Sequence, residues 1–395
     1  MPTAANYRIF YACQMVGLYK MGHRVGGGTA LTNAHGVQSV GITTNFNLEQ
    51  AFELGQIQIY ENIEGLPDVE VTMEKVLDGY PLLYHLASPI PESIGMVGRG
   101  KERCDVGLGI YSDAQDSVTD GSQAIPPVEV YMSGMYIGNV SYTIPVDGNC
   151  TESITLAGNE KQWLTTDGDK HLTSAGSSFG DAGTAPNPDE PFALTMGSGG
   201  IQRRENLLLS SSIFPVAIYG VTGTAFGNAW EDTSGGAAPA SHPSGNPRVH
   251  MQNVSISTDF SREDILELGR RVPYYKAPGF PIEVTCEIEA LAVSGDFVNA
   301  YEAGDPANVG TKNEGDNTAE ERILIRLKDG TVFDLGSKNR LSSVSYGGGD
   351  AAGGNVSISY SYTNFNDLEV LHRQDPAISV ADLYTPTQSG YMGLY

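Results

Sequence analysis

Hydrophobic and polar residues alternate along two distant stretches, Val37 to Phe46 and Val249 to Phe260. In the second, Val254, Ile256 and Thr258 fall on one face and Ser255, Ser257 and Asp259 on the other. That period of two predicts a half-buried strand. The spacing then changes in both stretches. Ala51, Phe52 and Leu54, or Ile265, Leu266 and Leu268, supply the apolar face of a short helix. Asn47 with Gln50, and Ser261 with Asp264, stand where an N-cap and its N3 partner belong. Gly55 and Gly269 stand where such a helix would end with φ above zero. A second long strand follows each, Val69 to Leu77 and Ile282 to Val293. Ile323 to Leu327 and Thr331 to Leu335 predict a hairpin about a type I′ turn at Asp329-Gly330. Its earlier counterpart is Val128 to Met132 and Met135 to Val140 about Ser133-Gly134. Closing strands are predicted over Ser153 to Leu156 and Val356 to Tyr362.

The two patterns are copies. Residues 38–67 and 252–281 align without a gap, and 12 of 30 positions are identical. The identities include Gln38/Gln252, Val40/Val254, Ile42/Ile256, Gly55/Gly269 and Pro67/Pro281. After a one-residue shift, Glu70-Val71-Thr72 matches Glu283-Val284-Thr285. Val140-Ser141-Tyr142 then Asn149 returns as Val344-Ser345-Tyr346 then Asn355. The preserved order predicts duplication of a whole unit, far longer than a solenoid repeat. The expected domains are 1–200, with long loop inserts, and 201–395. Residues 78–127 and 294–321 read as loop-rich, and 165–200 and 222–248 as Gly/Ser/Pro/Ala-rich arms or linkers. The fold class expected is mainly β: two tandem β-sandwich or barrel domains, each with one short flanking helix.

Charge narrows the function. The 395 residues hold 47 acidic and 23 basic side chains, a formal charge of −24, which disfavours tight binding to nucleic-acid phosphates. Cys13, Cys104, Cys150 and Cys286 lie far apart without CxxC or CxxH spacing, so reduced thiols in a cytosolic setting are expected. No signal peptide and no membrane-length apolar run is visible. The chemistry-bearing motifs fail on context. Gly176-Ser177-Ser178-Phe179-Gly180 matches GxSxG but lacks the strand before and the helix after it. Asp167, Asp169 and His171 lack the further oxygen ligands of a calcium loop and read as a solvated turn. The seven histidines form no i, i+4 pair and read as surface or strand-edge residues. Asp189-Glu190 and Glu320-Glu321 read as solvated charge, and the triple glycines at 26–28 and 347–349 lack a Walker lysine. No catalytic, cofactor-binding or metal-binding residue is therefore assigned, and no cofactor or enzymatic activity is expected. Arg203-Arg204 and Arg270-Arg271, the paired basics, read either as solvated or as docking points for acidic loops of a neighbouring subunit.

The block VSISTDFSREDILELGRRVPYYKAPGFPIEVTCEIEAL and its echo VGITTNFNLEQAFELGQIQIYENIEGLPDVEVTMEKVL resemble the core of phage major tail tube proteins. The type VI secretion tube is a structural relative of that family. The resemblance implies a β-sandwich or barrel domain with a flanking helix. Six such domains close into a ring around a lumen, and stacked rings form the conduit for the genome. Some members carry two tube domains per chain and build the ring from three chains. By that resemblance, this chain is expected to be a homotrimeric, pseudo-sixfold tube subunit in a virion tail, assembled in the host cytoplasm. Its expected partners are itself, the tail terminator, the tip or baseplate, and a sheath. Viral DNA would pass without specific binding, and no membrane is involved. The alternative expectation is a β-rich tail-tip or receptor-binding protein, which the Tyr-rich stretch Tyr384 to Tyr395 would suit.

Overall fold

The computed structural model describes residues 9, 11–21, 32–55, 57, 59–89, 91, 93–111, 126–166, 169–172, 200–208, 215, 218, 250–291, 320–327, 329–347 and 355–372. The strands of the first half are β1 (Gln14–Lys20), β2 (Thr32–Asn33), β3 (Val37–Asn45), β4 (Leu48–Phe52), β5 (Ile59–Glu64), β6 (Asp68–Val76), β7 (Cys104–Ile110), β8 (Val128–Pro145), β9 (Thr151–Gly158) and β10 (Gln162–Leu164). Those of the second are β11 (Leu207–Leu208), β12 (His250–Asp259), β13 (Glu263–Ile265), β14 (Tyr275–Ala277), β15 (Glu283–Leu291), β16 (Leu324–Leu327), β17 (Val332–Asp334), β18 (Arg340–Gly347), β19 (Ser357–Phe365) and β20 (Glu369–Leu371). Two short helices, α1 (Leu83–Ala87) and α2 (Met96–Arg99), interrupt the first half. The chain is mainly β, as its alternation predicts.

The pairing pattern occurs twice. β3, β6, β9 and the second half of β8 pair in that order, and so do β12, β15, β19 and β18. The registers agree as well. Ser39 opposite Glu74 recurs as Asn253 opposite Glu289. Thr72 opposite Thr155 recurs as Glu287 opposite Ser361, and Val140 opposite Ile154 recurs as Val344 opposite Tyr360. Even the irregularities repeat. A bulge falls between Val37 and Ser39 and again between Met251 and Asn253, at the matched Gln38 and Gln252. Another falls between Ile137 and Asn139 and again between Leu341 and Ser343. Bulges re-aim a strand locally, so a matched pair of them is a stringent sign of common geometry. A second layer shows the same neighbours in each half, β1–β7–β8–β10 and β11–β16–β17–β20.

One core runs through both halves. Val71, Met73, Val140, Tyr142, Ile154 and Leu156 join Val254, Ile256, Val284, Cys286, Tyr360 and Tyr362 in a single buried cluster. Leu18, Leu108, Ile325 and Phe333 of the second layer close over them. At about 1.5–3 kcal/mol for each large apolar side chain buried, this cluster is the main source of stability.

Four expectations need correction. The segments predicted as helices are strands: β4 and β5 form a hairpin, and β13 and β14 form its equivalent, with Glu49 opposite Ile63 recurring as Glu263 opposite Ala277. The apolar side chains meant for a helix face have nothing to pack on, because Leu54 and Leu268 are fully exposed and Leu266 is 71% exposed. A helix that short is not stable without packing, whereas a hairpin pairs its own backbone. Asn47 and Ser261 turn the chain at φ 48 and 42 rather than capping a helix, and their N–H groups donate to Asn45 Oδ1 and Asp259 Oδ1. Gly55 and Gly269 do have positive φ, 93 and 85, but at hairpin tips. Second, Ser133-Gly134 is a bend inside the 18-residue β8, with Gly134 at φ 67 donating its N–H to Asp105 Oδ1. Third, Asp329-Gly330 is not type I′, since Gly330 alone has positive φ and Asp329 Oδ1 instead accepts the Thr331 N–H. Fourth, the ladders equate Asp68 with Glu283, so the match of Glu70 to Glu283 is two residues out of register. A slip of two leaves every side chain on its own face, which is why pattern alone does not detect it.

Candidate assembly interface

The two four-strand sets are joined edge to edge. β8, the last strand of the first set, pairs antiparallel with β12, the first strand of the second. The ladder sets Asn139 opposite Asp259, Val140 opposite Thr258, Ser141 opposite Ser257 and Tyr142 opposite Ile256. At this junction Tyr142 is 1% exposed, its phenol donates to Glu152 Oε1 at 3.1 Å, and its ring lies 4.6 Å from that of Phe333.

The same two kinds of strand stand at the outer ends of the continuous sheet, and there they have no neighbour among the described residues. β3, the equivalent of β12, pairs with β6 alone; β18, the equivalent of β8, pairs with β19 alone. Burial follows. Val254, Ile256 and Thr258 are buried, whereas their counterparts Val40, Ile42 and Thr44 are half-exposed. Tyr346, the counterpart of Tyr142, is 54% exposed. An uncovered edge presents unpaired N–H and C=O groups and templates pairing with another chain.

The hairpins add an apolar surface. Phe46, Leu48, Phe52, Leu54, Ile57 and Tyr60 are all more than 60% exposed around β4 and β5, and Leu266, Leu268, Val272 and Tyr274 are more than 50% exposed around β13 and β14. Large apolar side chains exposed in this number on two hairpins mark an interaction site. The two hairpins touch where Arg271 donates to the Glu64 and Gly65 carbonyls at 3.4 and 3.2 Å.

The open face of the main sheet is polar and locally concave. A groove of about 520 Å³ crosses Asn139, Ser141, Ser153, Thr155, Ser257 and Asp259. Asp259 and Glu283 make the groove acidic, and Glu70 and Glu74 on β6 with Glu287 and Glu289 on β15 extend that charge over the same face of the sheet. Lys75 points the other way, into the protein.

Buried charges hold the start of the β3 edge. Lys75 Nζ donates to Asp78 Oδ1 at 2.7 Å and to the His35 carbonyl at 2.6 Å, and His35 Nδ1 lies 2.7 Å from Asp78 Oδ2. Burial alone would raise the Asp78 pKa, but the His35 hydrogen bond and the Lys75 charge outweigh it and hold the carboxyl below its usual value. Glu152 accepts the Leu83 and Tyr84 N–H groups at 2.7 and 3.0 Å, and burial raises its pKa.

The residues weighed from sequence are placed as follows. The GxSxG segment at 176–180, Asp167, the acidic pair at 189–190 and Tyr384 to Tyr395 lie outside the described residues. His171 is not solvated: it is buried and stacked on Tyr131 at 3.9 Å. His85 and His372 are buried too, with His85 Nε2 2.9 Å from the Val370 carbonyl. Those three positions correct the surface reading. The four cysteines are free and buried, and burial lifts Cys150 and Cys286 to about 12. Of the paired basics, Arg204 lies 3.8 Å from Asp147 with both exposed, and Arg271 docks on carbonyls of its own chain. Among the described residues, no cluster of His, Cys, Asp or Glu is placed to hold a metal ion, and no helix is long and apolar enough to cross a membrane. Sequence reading missed β7, inside the stretch taken as loop-rich. Cys104–Ile110 is buried almost throughout and so shows no alternation.

No protein-family profile and no curated protein matches this chain. Among solved structures it is similar to the tube-terminating cap of the anti-feeding prophage, at 14% identity and TM-score 0.29 over 41% of this chain and 95% of that one. It is similar to the sheath/tube terminator of an extracellular contractile injection system at 13% identity and TM-score 0.28, over 41% of this chain and 99% of that one. A chain of the sheath–tube complex of such a system gives 12% and 0.27 over 41% and 95%. Likenesses at TM-scores this low carry no argument about the role of this chain.

Proposed function

We propose that this chain is a structural subunit of a viral tail tube, built of two tandem tube domains over 1–200 and 201–395, and that it assembles into stacked rings. The supporting observation is the contrast between Tyr142 and Tyr346. Equivalent tyrosines on equivalent strands are 1% exposed where a second set of strands covers the edge and 54% exposed at the open end of the sheet. The sheet thus carries one finished junction and two unfinished halves of another. Closure satisfies the backbone groups that an open edge leaves bare.

Three chains supply six four-strand units and close the ring with alternating internal and chain-to-chain junctions. The concave Ser/Thr/Glu face then lines the lumen, where its acidity repels passing DNA. The apolar hairpins at 48–64 and 263–277 stack one ring on the next, and the end rings meet the other tail proteins. The function is mechanical, and no residue is assigned a catalytic role. Electron microscopy of concentrated protein tests the reading. Rings of three chains with six similar units at one radius, stacked into tubes, are expected. Six chains per ring, or two units at different radii, would overturn it, as would discrete particles with receptor-binding fibres.

A further inference from the structure

Resting on that self-assembly reading, we infer the register of the chain-to-chain junction: β18 of one chain pairs antiparallel with β3 of the next, with Ser345 opposite Thr43. The internal junction is the template. β8 and β18 are equivalent because both pair with their neighbour through the same bulge, Val140 opposite Ile154 recurring as Val344 opposite Tyr360. β12 and β3 are equivalent because both pair with theirs through the bulge at Gln252 or Gln38. Inside the chain Ser141 faces Ser257 and Tyr142 faces Ile256. Carrying each strand to its counterpart places Val344 opposite Thr44, Ser345 opposite Thr43, Tyr346 opposite Ile42 and Gly347 opposite Gly41.

Side-chain chemistry fits this register. Val344 and Tyr346 carry the apolar face of β18, and Val40, Ile42 and Thr44 that of β3. All five line up on the core side. Ser343 and Ser345 line up with Asn45 and Thr43 on the polar side. A slip of one residue would drive Ser345 toward the core and Tyr346 into the acidic face. A slip of two keeps the faces but breaks the match to the internal junction.

The seam differs at the hairpins. Arg271 holds the internal one by donating to the Glu64 and Gly65 carbonyls. Its counterpart in the first half is Ile57, and the counterparts of the accepting residues are Pro278 and Gly279. Between chains, the fully exposed Ile57 therefore lies over Pro278 and Gly279 as an apolar contact with no donor.

Cysteine pairs test the register in the full chain. Opposed residues of a ladder lie about 4.5–5.5 Å apart, within disulfide reach. The four native thiols are buried and do not compete. Ser345→Cys with Thr43→Cys should give covalent dimers and trimers on a non-reducing gel, ending at three chains. Ser345→Cys with Ser39→Cys moves one partner four residues along, roughly 13 Å, and should give none. Ser141→Cys with Ser257→Cys should close within one chain and shows that the chemistry works. Sedimentation of each variant separates the two claims. Assembled protein without the Ser345–Thr43 crosslink, or with the Ser345–Ser39 one instead, overturns the register and leaves the self-assembly reading standing. Protein that stays monomeric at every concentration overturns both.

Discussion

Asp78→Ala removes the counter-charge of an ammonium that has no exposed surface. The Lys75 side chain is 0% exposed and that of Asp78 8%. After the substitution Lys75 keeps the His35 carbonyl at 2.6 Å and loses its carboxylate at 2.7 Å. Stranding one member of a buried pair costs about 3–5 kcal/mol, a large part of the ~5–15 kcal/mol that holds a typical protein folded. Lys75→Met with Asp78→Ala removes both charges, and the double variant should recover at least half of that loss. Urea unfolding at neutral pH measures all three proteins, with a common slope expected. A loss below ~1 kcal/mol in Asp78→Ala, or a double variant no more stable than the single, would refute the buried-pair account. The pH dependence gives a second check. Because the folded Asp78 pKa lies below its usual 3.8, its contribution is full above 3.8 and is lost as pH falls from there through the lower folded value. The same triad fixes the entry to the open edge strand, so Asp78→Ala should also weaken assembly.

Tyr142→Ser should destabilise the monomer by about 3–5 kcal/mol, as other large aromatic truncations do, while Tyr346→Ser should leave it within ~0.5 kcal/mol and reduce assembly; equal effects on stability would contradict the open-edge reading. Glu152 has the opposite linkage to Asp78: its folded pKa is raised, so its contribution is full below the usual 4.5 and is lost as pH rises through the folded value. Glu152→Gln should flatten that limb of the stability–pH curve, and an unchanged curve would show that the group does not titrate on unfolding. Gly269→Val should cost about 1–2 kcal/mol in thermal melts and Gly269→Asn less, since φ is 85 and no atom lies within 4 Å of a Cβ there. Equal losses would remove backbone strain as the cause.

Much of the sheet was legible in the sequence. β6, β9, β12, β15 and β19 each bury one face, and β3 half-buries one, so period-two alternation exposes all six, with ends that differ by up to three residues from those predicted. The duplication was legible because residues at bulges and turns, Gln38, Gly55 and Gly65 with their counterparts, recur as well as the apolar ones. Gly65 shows the reason: a Cβ there would lie 2.5 Å from the Asn47 carbonyl, and at Gly279 one would lie 2.8 Å from that of Ser261. The hairpins were misread because an apolar triplet before a glycine predicts a helix only when a surface exists to bury it, and burial is not a local property. The assembly edges left no local signal at all. Val40 and Val254 read identically, and only the position of their strands in the sheet makes one half-exposed and the other buried.

Duplication also changes what the two junctions can become. In a ring of single-domain chains every interface is the same by symmetry, and no substitution can favour one junction over another. In a two-unit chain the internal junction is covalently tethered and forms at high effective concentration. It tolerates groups that need ordered partners, such as Tyr142 donating to buried Glu152 and Arg271 reaching the Glu64 and Gly65 carbonyls. At the outer junction Glu152 is replaced by its counterpart Ile358 and Arg271 by Ile57. Both changes remove polar groups whose desolvation would oppose association between separate molecules. If this is why they differ, Ile57→Arg should restore a donor at the outer seam without strengthening it. Sedimentation should then show assembly at an unchanged or higher protein concentration. A clear shift to lower concentration would mean that the outer carbonyls gain from a donor, and the tether would not explain the asymmetry.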